Sequence, residues 1–357
     1  MPEAITIVQA EQPGENGNSL PKRPLLELID ISKEFDVRDN GRRATLSAVN
    51  EVSLKVRTGR TLGIVGESGC GKSTLARVIV GLHAASSGEM LFENRQIETT
   101  GRRPRKIVEQ MQMVFQDPSS ALNPRATVGE SIGFPLRVQG ASKKEIDARV
   151  KQVITDVGLP ASYVGNYPHQ LSGGQRQRVN IARALALQPK LVVLDEAVSA
   201  LDKSIQAQVL NLLADLQRDY QLTYVFISHD LNVVEYISDE VAVMYLGQVV
   251  EEGSAKALYE NPRHPYTQLL LSSIPTLDPA QSNRDEPIGA GDSEIPSPIS
   301  PPSGCRFRTR CPFVMDICSE VLPPRVEAAP EHIVACHLYS EGAERNDGAV
   351  AAAAAAS

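Results

Sequence analysis

Short continuous apolar runs alternate along the middle of the chain with stretches whose apolar residues recur at helical spacing. The runs at 61–66, 190–195 and 223–228 are rich in β-branched residues, which predicts strands buried on both faces. Between the last two runs, one face of an amphipathic helix is predicted from Ile205, Val209, Leu212, Leu213 and Leu216. Strand–helix–strand order of this kind predicts the α/β class with a parallel sheet.

A second helix is predicted to begin at Ser73, directly after the strand at 61–66. Its apolar face is formed by Leu75, Val78, Ile79 and Leu82. A loop thus separates a buried strand from a helix N-terminus, which is a common setting for binding phosphate.

The same pattern divides the chain into parts. The α/β domain is predicted over 25–275, and strand-like runs are missing from about 117–172, which predicts a helical insertion there. Clusters of Pro, Ser, Gly and Asp mark a linker. The remaining parts are a flexible leader at 1–24, the linker at 276–304, a small Cys-bearing segment at 305–340 and a disordered, alanine-rich tail at 341–357.

Composition narrows the possible functions. The chain has 42% hydrophobic and 22% charged residues, which fits a globular protein, and its net charge of −7 gives no reason to expect nucleic-acid binding. Glu3 stands where a secretory signal would be basic, and no apolar run approaches the roughly 20 residues needed to cross a bilayer. Any role at a membrane would therefore require spanning segments from other chains.

The loop before the second helix, Gly66-Glu-Ser-Gly-Cys-Gly-Lys-Ser73, matches the phosphate-loop pattern G-x-x-x-x-G-K-[ST]. Glycines let successive N–H groups face phosphate oxygens, Lys72 would bridge the β- and γ-phosphates, and the Ser73 hydroxyl would bind Mg²⁺. A plain glycine turn is the alternative, and the strand–loop–helix setting argues against it. The expected ATP-binding residues are Gly66, Glu67, Ser68, Gly69, Cys70, Gly71, Lys72, Ser73 and Thr74.

Two acids end the apolar strand at 190–195. Asp195 could help to hold Mg²⁺, and Glu196 could polarise an attacking water. Taken alone, two adjacent carboxylates at a sheet edge could equally be solvated. A phosphate loop in the same domain favours the catalytic interpretation.

Further motifs, in their order along the chain, resemble the ATP-binding cassette (ABC) ATPase family. The resemblance implies that Gln116 reaches Mg²⁺ and water, that His229 contacts the γ-phosphate and orients Glu196, and that Phe35 stacks on adenine; core packing is the alternative for Phe35. Two segments would act across a dimer. The family's signature motif, here Leu171, Ser172, Gly173, Gly174 and Gln175, would contact ATP held by the partner subunit. The second segment, Ser199, Ala200, Leu201 and Asp202, would contact the partner subunit itself. The family's usual D-E-P-T is Asp195-Glu-Ala-Val198 here, which keeps both acids.

The resemblance also implies the fold: an ABC cassette with a phosphate-loop core and parallel sheet, an antiparallel β subdomain and a helical insertion. The small Cys-bearing extension follows it. The text at 116–124 and 261–268, together with the final Cys-rich segment, resembles ATPase subunits of dipeptide and oligopeptide importers. Relatives in that subfamily carry nickel or glutathione. A soluble mechanical ATPase acting on nucleic acid or ribosomes is the alternative from another class, and an inactive regulatory cassette is opposed by Lys72, Asp195, Glu196 and His229.

The subfamily resemblance also implies partners and a location. We expect a second ABC ATPase subunit, more often a paralogue, two transmembrane permease subunits and an extracytoplasmic substrate-binding protein, with no nucleic acid bound. The chain would lie peripherally on the cytoplasmic face of the cell membrane.

Four clustered cysteines, Cys305, Cys311, Cys318 and Cys336, suggest a metal site in a cytosolic chain. Their spacing lacks the C-x₂-C pairs of common zinc sites. The resembled subfamily can hold a four-iron, four-sulfur cluster at such positions, and Arg306, Arg308 and Arg310 could offset the thiolate charge. A segment with thiols only is the alternative. Cys70 is interpreted as a tolerated small residue within the phosphate loop.

Overall fold

The computed structural model describes residues 24–39, 41–101, 103–273 and 296–340. The predicted tail at 341–357 lies outside these residues, as do most of the predicted leader and residues 276–295 of the predicted linker. Within the described residues, the strands are β1 Pro24–Asp39, β2 Arg42–Arg57, β3 Thr61–Val65, β4 Ser87–Phe92, β5 Arg95–Ile97, β6 Met111–Val114, β7 Leu191–Asp195, β8 Thr223–Ile227, β9 Glu240–Tyr245, β10 Gln248–Ser254, β11 Arg325–Ala329 and β12 His332–Ala335.

The helices of the described residues fall between and after these strands. They are α1 Lys72–Ile79, α2 Arg105–Gln110, α3 Pro118–Ala121, α4 Val128–Val138, α5 Lys143–Asp156, α6 Gly173–Leu185, α7 Lys203–Tyr220, α8 Leu231–Ile237, α9 Ala255–Glu260, α10 Pro265–Ser272 and α11 Ile317–Glu320. No helix in the described ranges combines the length and the apolar character needed to span a bilayer.

The strands of the described residues form two sheets. The larger sheet has the order β11-β12-β10-β9-β3-β8-β7-β6, and the smaller one has the order β2-β1-β4-β5. Strands β6, β7, β8, β3 and β9 run parallel to their neighbours, whereas β10, β12 and β11 are added antiparallel. The strands of the smaller sheet all pair antiparallel, so the prediction of a parallel sheet with an antiparallel β subdomain is confirmed.

The buried strands predicted from apolar runs are found within one residue at each end: β3, β7 and β8 are buried at every position. Helix α7 contains the predicted amphipathic face, and Val209, Leu213 and Leu216 of that face are buried. The prediction for Leu82 was wrong. Helix α1 ends at Ile79, Gly81 follows with a positive φ of 79°, and Leu82 is 57% exposed.

The predicted helical insertion contains helices α3, α4 and α5 and two short 3₁₀ segments, with no strand between residues 117 and 172. Helices α4 and α5 each begin with a complete capping box, Thr127 with Glu130 and Ser142 with Glu145. These capping bonds fix where the two helices start, and both follow from residues three positions apart in the sequence. Apolar residues of α5 such as Val153 and Ile154 join the main core.

The Cys-bearing segment packs onto the α/β domain. Strand β12 pairs antiparallel with β10, so that Glu251 lies opposite Val334, and β11 then pairs with β12. Phe307 is 2% exposed and belongs to the same apolar core as the strands of the main sheet. The sequence pattern did not reveal these two strands. They extend the larger sheet beyond β10, so the final segment forms that edge of the sheet.

Candidate functional site

The phosphate loop connects β3 to α1 at the carboxyl end of the parallel strands, where ligands of such sheets bind. Two of its glycines leave no room for a side chain. A Cβ on Gly66 would lie 2.2 Å from the Met244 carbonyl oxygen, and a Cβ on Gly71, at φ 104°, would lie 2.0 Å from that of Ala48. The loop is therefore shaped by close backbone contacts with β2 and β9, beyond its own turn.

The Lys72 side chain is enclosed by the loop. Lys72 is 5% exposed, and its Nζ donates to the carbonyl oxygens of Gly66 at 2.7 Å and Glu67 at 2.9 Å. Cys70 is 3% exposed, with its sulfur 3.7 Å from the same amine, and burial raises the pKa of its thiol. A buried, small, neutral thiol fits the interpretation of Cys70 as packing within the loop.

Ser73 and Asp195 form the first polar pair of the site. The Ser73 hydroxyl donates to Asp195 Oδ1 at 2.8 Å, joining the start of α1 to the end of β7. Asp195 is 4% exposed, and burial raises the pKa of its carboxyl, although the Ser73 bond opposes the shift. A hydroxyl and a carboxylate oxygen at one point are the donors that Mg²⁺ prefers, so these residues fit that ion.

Glu196 is held by three neighbours. Gln116 Nε2 donates to Glu196 Oε2 at 2.6 Å, and His229 Nδ1 lies 3.3 Å from Glu196 Oε1. The backbone N–H of Glu196 donates to the Ile227 carbonyl at 2.9 Å. Glu196 itself has a φ of 47°, which an L-residue adopts at some cost and which is common at functional sites. The structure thus brings together the residues predicted to surround the reacting water.

The segment 199–202 leads directly from this acid into α7. The Ser199 hydroxyl donates to the Glu196 carbonyl at 2.9 Å, and Asp202 caps α7 by accepting the Ile205 N–H at 3.0 Å. Lys203 then forms a 2.7 Å ion pair with Asp230, the residue after His229. Sequence reasoning missed this ion pair, because only the folded chain brings the two together.

The segment 171–175 opens helix α6. Ser172 is the N-cap, and its side chain and that of Gln175 form a complete capping box. A Cβ on Gly174 would lie 2.4 Å from Ile205 Cγ2, so a glycine is needed for α6 to pack against α7. Leu171 is buried and Ser172 is exposed, which leaves the helix N-terminus with its positive dipole end at the surface.

Phe35 is half-buried rather than part of a core. Its ring lies edge-on to His83, with centroids 5.5 Å apart, and Lys33 Nζ is 4.9 Å from its centroid. An aromatic face that remains partly exposed beside a cation can accept a stacked base.

The four C-terminal cysteines are all described, and none of them forms a disulfide. Burial raises the pKa of the Cys311 thiol to about 12, and it raises the pKa values of Cys305 and Cys336 as well. Over the described ranges, no group of three or more His, Cys, Asp or Glu side chains is arranged to hold a metal ion. The structure therefore gives no support to an iron–sulfur cluster.

The three arginines expected to offset thiolate charge have other contacts. Burial raises the pKa of the Cys305 thiol and the Arg308 charge opposes that rise, while the Arg308 side chain donates to the Ser303 carbonyl. Arg306 donates to the Leu246 carbonyl, and Arg310 forms two bonds to the Glu67 carboxylate. The expectation was wrong for Arg306 and Arg310, whose partners are more than 50 residues away in sequence.

Comparison with known proteins agrees with this geometry. A family model described as "ABC transporter" matches residues 49–199, and one described as "Oligopeptide/dipeptide transporter, C-terminal region" matches residues 250–318. The oligopeptide transport ATP-binding protein AppF of Bacillus subtilis is 48% identical over 88% of this chain and 98% of its own length. OppF of Escherichia coli, with the same description, is 47% identical over 88% of this chain and 96% of its own length.

Solved structures agree on the fold. A dimeric ATP-binding cassette in a post-hydrolysis state, bound to ADP and Pi, superposes with a TM-score of 0.57 and 28% identity. The match covers 64% of this chain and 98% of that one.

Proposed function

The chain belongs to the ABC transporter family, among the oligopeptide transport ATP-binding proteins, and we propose that it hydrolyses ATP to power import of oligopeptides or dipeptides across the cytoplasmic membrane. The observation that carries this proposal is the 48% identity to one such protein over 98% of that protein's length. This similarity spans both the cassette and the C-terminal region, so it concerns the whole subunit and not the ATPase core alone.

The geometry supports a division of labour for ATP hydrolysis. The phosphate loop, residues 66–74, would hold the triphosphate, with Lys72 exchanging its carbonyl partners for β- and γ-phosphate oxygens. Ser73 and Asp195 would hold Mg²⁺, and Gln116 would also reach it. The ion would offset the negative charge that develops on the phosphates. Phe35 would stack on the adenine ring.

Glu196 is the candidate to polarise the attacking water. Gln116 and His229 both contact its carboxylate and fix its direction. His229 has a side chain that is 60% exposed, so its ring can also turn towards a γ-phosphate.

The complete site would form between two ATPase subunits. The N-terminus of α6, with residues 171–175, would close over ATP held by the partner, and residues 199–202 would contact the partner's loop. The dimeric state of the related cassette bound to ADP and Pi supports this arrangement. We propose that the partner is a paralogue, that two permeases receive the motion through the helical insertion, and that an extracytoplasmic binding protein delivers the peptide. The chain would sit peripherally on the cytoplasmic face of the membrane.

The proposal includes no iron–sulfur cluster, because no group of three or more His, Cys, Asp or Glu side chains among the described residues is arranged to hold a metal ion. Iron and sulfide analysis of anaerobically purified protein tests it directly.

Uptake by intact cells tests the proposal. Cells lacking this chain should lose uptake of a labelled tripeptide, and the wild-type gene should restore it whereas a Glu196→Gln gene should not. Labelled nickel and glutathione serve as the other substrates of the subfamily; if one of them were lost while peptide uptake stayed normal, the peptide assignment would fail. If the tagged chain came out of detergent-solubilised membranes with ribosomes or nucleic acid and without a polytopic protein, the importer role would fail.

A further inference from the structure

The C-terminal segment reaches the phosphate loop through an ion pair. Both nitrogens at the end of Arg310 donate to the Glu67 carboxylate, Nη1 to Oε2 at 2.9 Å and Nη2 to Oε1 at 3.0 Å. The two side chains are only 12% and 24% exposed. A two-point bond of this kind fixes the direction of both groups, and partial burial protects it from solvent screening.

Glu67 is also held by its backbone. Its N–H donates to the Tyr266 hydroxyl at 2.9 Å, and Tyr266 is fully buried against Tyr245 and Phe307. The Arg310 guanidinium lies 5.8 Å from the Phe307 ring centroid and 5.9 Å from that of Tyr245. The aromatic rings therefore hold the arginine in place beside the loop.

A second arginine of the same segment, Arg306, is linked to the phosphate loop through two neighbouring residues. Arg306 donates to the Leu246 carbonyl, and the N–H of the next residue, Gly247, donates to the Cys70 carbonyl at 2.8 Å. Arg310 thus contacts the phosphate loop directly at Glu67, and Arg306 is linked to it at Cys70 through Leu246 and Gly247.

This arrangement solves an electrostatic problem that Glu67 creates. A carboxylate in a loop built to bind a triphosphate repels the ligand. At an effective dielectric constant of about 20, any unpaired like charge within about 8 Å of a phosphate would weaken binding roughly tenfold or more. Arg310 neutralises the carboxylate and holds it on the side of the loop that faces the C-terminal segment.

We propose that Arg310 is a positioning residue for nucleotide binding, which makes the C-terminal segment part of the ATP site through its ion pair with Glu67. This inference rests on the proposed ATPase function and adds to it a role for a residue outside the cassette motifs.

A set of variants of the full chain that removes or keeps the charges of this ion pair tests the inference. Arg310→Ala should raise the Kd for MgATP, measured by calorimetric titration, and the KM of hydrolysis about tenfold, with kcat changed less than about twofold. Adding Glu67→Gln to Arg310→Ala should return both constants to within about threefold of wild type, since the unpaired carboxylate is then gone. Arg310→Lys should fall between wild type and Arg310→Ala, because it keeps the charge and loses the two-point bond.

Arg308→Ala is the matched control, because Arg308 belongs to the same segment and its side chain donates to Ser303 rather than to the phosphate loop. It should leave Kd and KM unchanged. Thermal unfolding of each variant without nucleotide identifies any loss of folding.

Three results separate the possible failures. Wild-type affinity in Arg310→Ala overturns the inference. A double variant as weak as Arg310→Ala also overturns it, because the arginine would then act only by packing. Failure of the wild-type chain to bind ATP at all would instead overturn the proposed function.

Discussion

Gln116 Nε2 donates a 2.6 Å hydrogen bond to Glu196 Oε2. The two residues follow neighbouring parallel strands at equivalent positions. In the pairing of β6 with β7, Val114 lies opposite Leu194, and each of the two site residues comes two positions later. Helix α3 begins directly after this point, at Pro118. The candidate catalytic acid is therefore one hydrogen bond away from the start of the helical insertion.

Replacing Gln116 by Ala should lower kcat roughly tenfold or more and leave ATP affinity close to wild type. The reason is that the Glu196 carboxylate would lose the Gln116 bond and keep the 3.3 Å contact with His229, and a misplaced base loses rate rather than binding. Steady-state hydrolysis and an ATP titration measure the two effects. A large rise in Kd with normal kcat would contradict the role of Gln116 as an orienting residue.

Replacing Glu196 by Gln should lower hydrolysis about 100-fold or more, because the amide cannot accept a proton from water. ATP binding should persist, since the phosphate loop and the Ser73–Asp195 pair are untouched. Sedimentation of the variant together with its partner ATPase subunit and ATP should then show an ATP-dependent dimer that does not decay by turnover. Near-normal hydrolysis would reject Glu196 as the catalytic base.

Replacing Gly71 by Ala should destabilise the fold by about 3 kcal/mol, since its Cβ would meet the Ala48 carbonyl oxygen at 2.0 Å and backbone must shift. Gly69→Ala is the matched comparison: its φ of 80° is also positive, but a Cβ there meets nothing within 4 Å. It should cost about 1 kcal/mol, from backbone strain alone. Urea unfolding without nucleotide measures both, and equal losses would contradict the close approach of β2.

His264 should make the protein less stable as the pH falls from about 6.5 to about 4. Complete burial lowers the pKa of its imidazole to about 4, against the opposing attraction of Glu251, and it stays neutral while it accepts the Tyr266 N–H at 3.0 Å. Below the ordinary pKa of 6.5 the unfolded chain binds a proton that the folded chain does not, so acid favours unfolding by up to about 3 kcal/mol.

His264→Asn separates this effect from general acid denaturation. Asn can still cap α10 by accepting the Tyr266 N–H, but it does not titrate. The midpoint of thermal unfolding should therefore fall less between pH 6.5 and 4 in the variant than in wild type. Identical pH profiles would show that His264 does not contribute.

The ATP site could be predicted from the sequence because its parts are local. The phosphate loop, the two acids after β7 and the histidine after β8 each follow a buried strand, and parallel strands bring their carboxyl ends to one edge. The contacts among Gln116, Glu196 and His229 follow from that topology. Leu82 was misplaced because Gly81, with its positive φ, ended the helix before the apolar pattern did.

By itself, the sequence determined the α/β class and the phosphate loop through short-range spacing, and its resemblance to the ABC ATPase family supplied other candidate site residues such as Gln116 and His229. Only the tertiary structure decided that β12 extends the main sheet and that Arg310 pairs with Glu67, 243 residues away. The physical reason is that an arginine among cysteines has several possible partners within reach of its charge. The choice between a thiolate and a distant carboxylate is made by the packing of Phe307, Tyr245 and Tyr266, which no local pattern reveals.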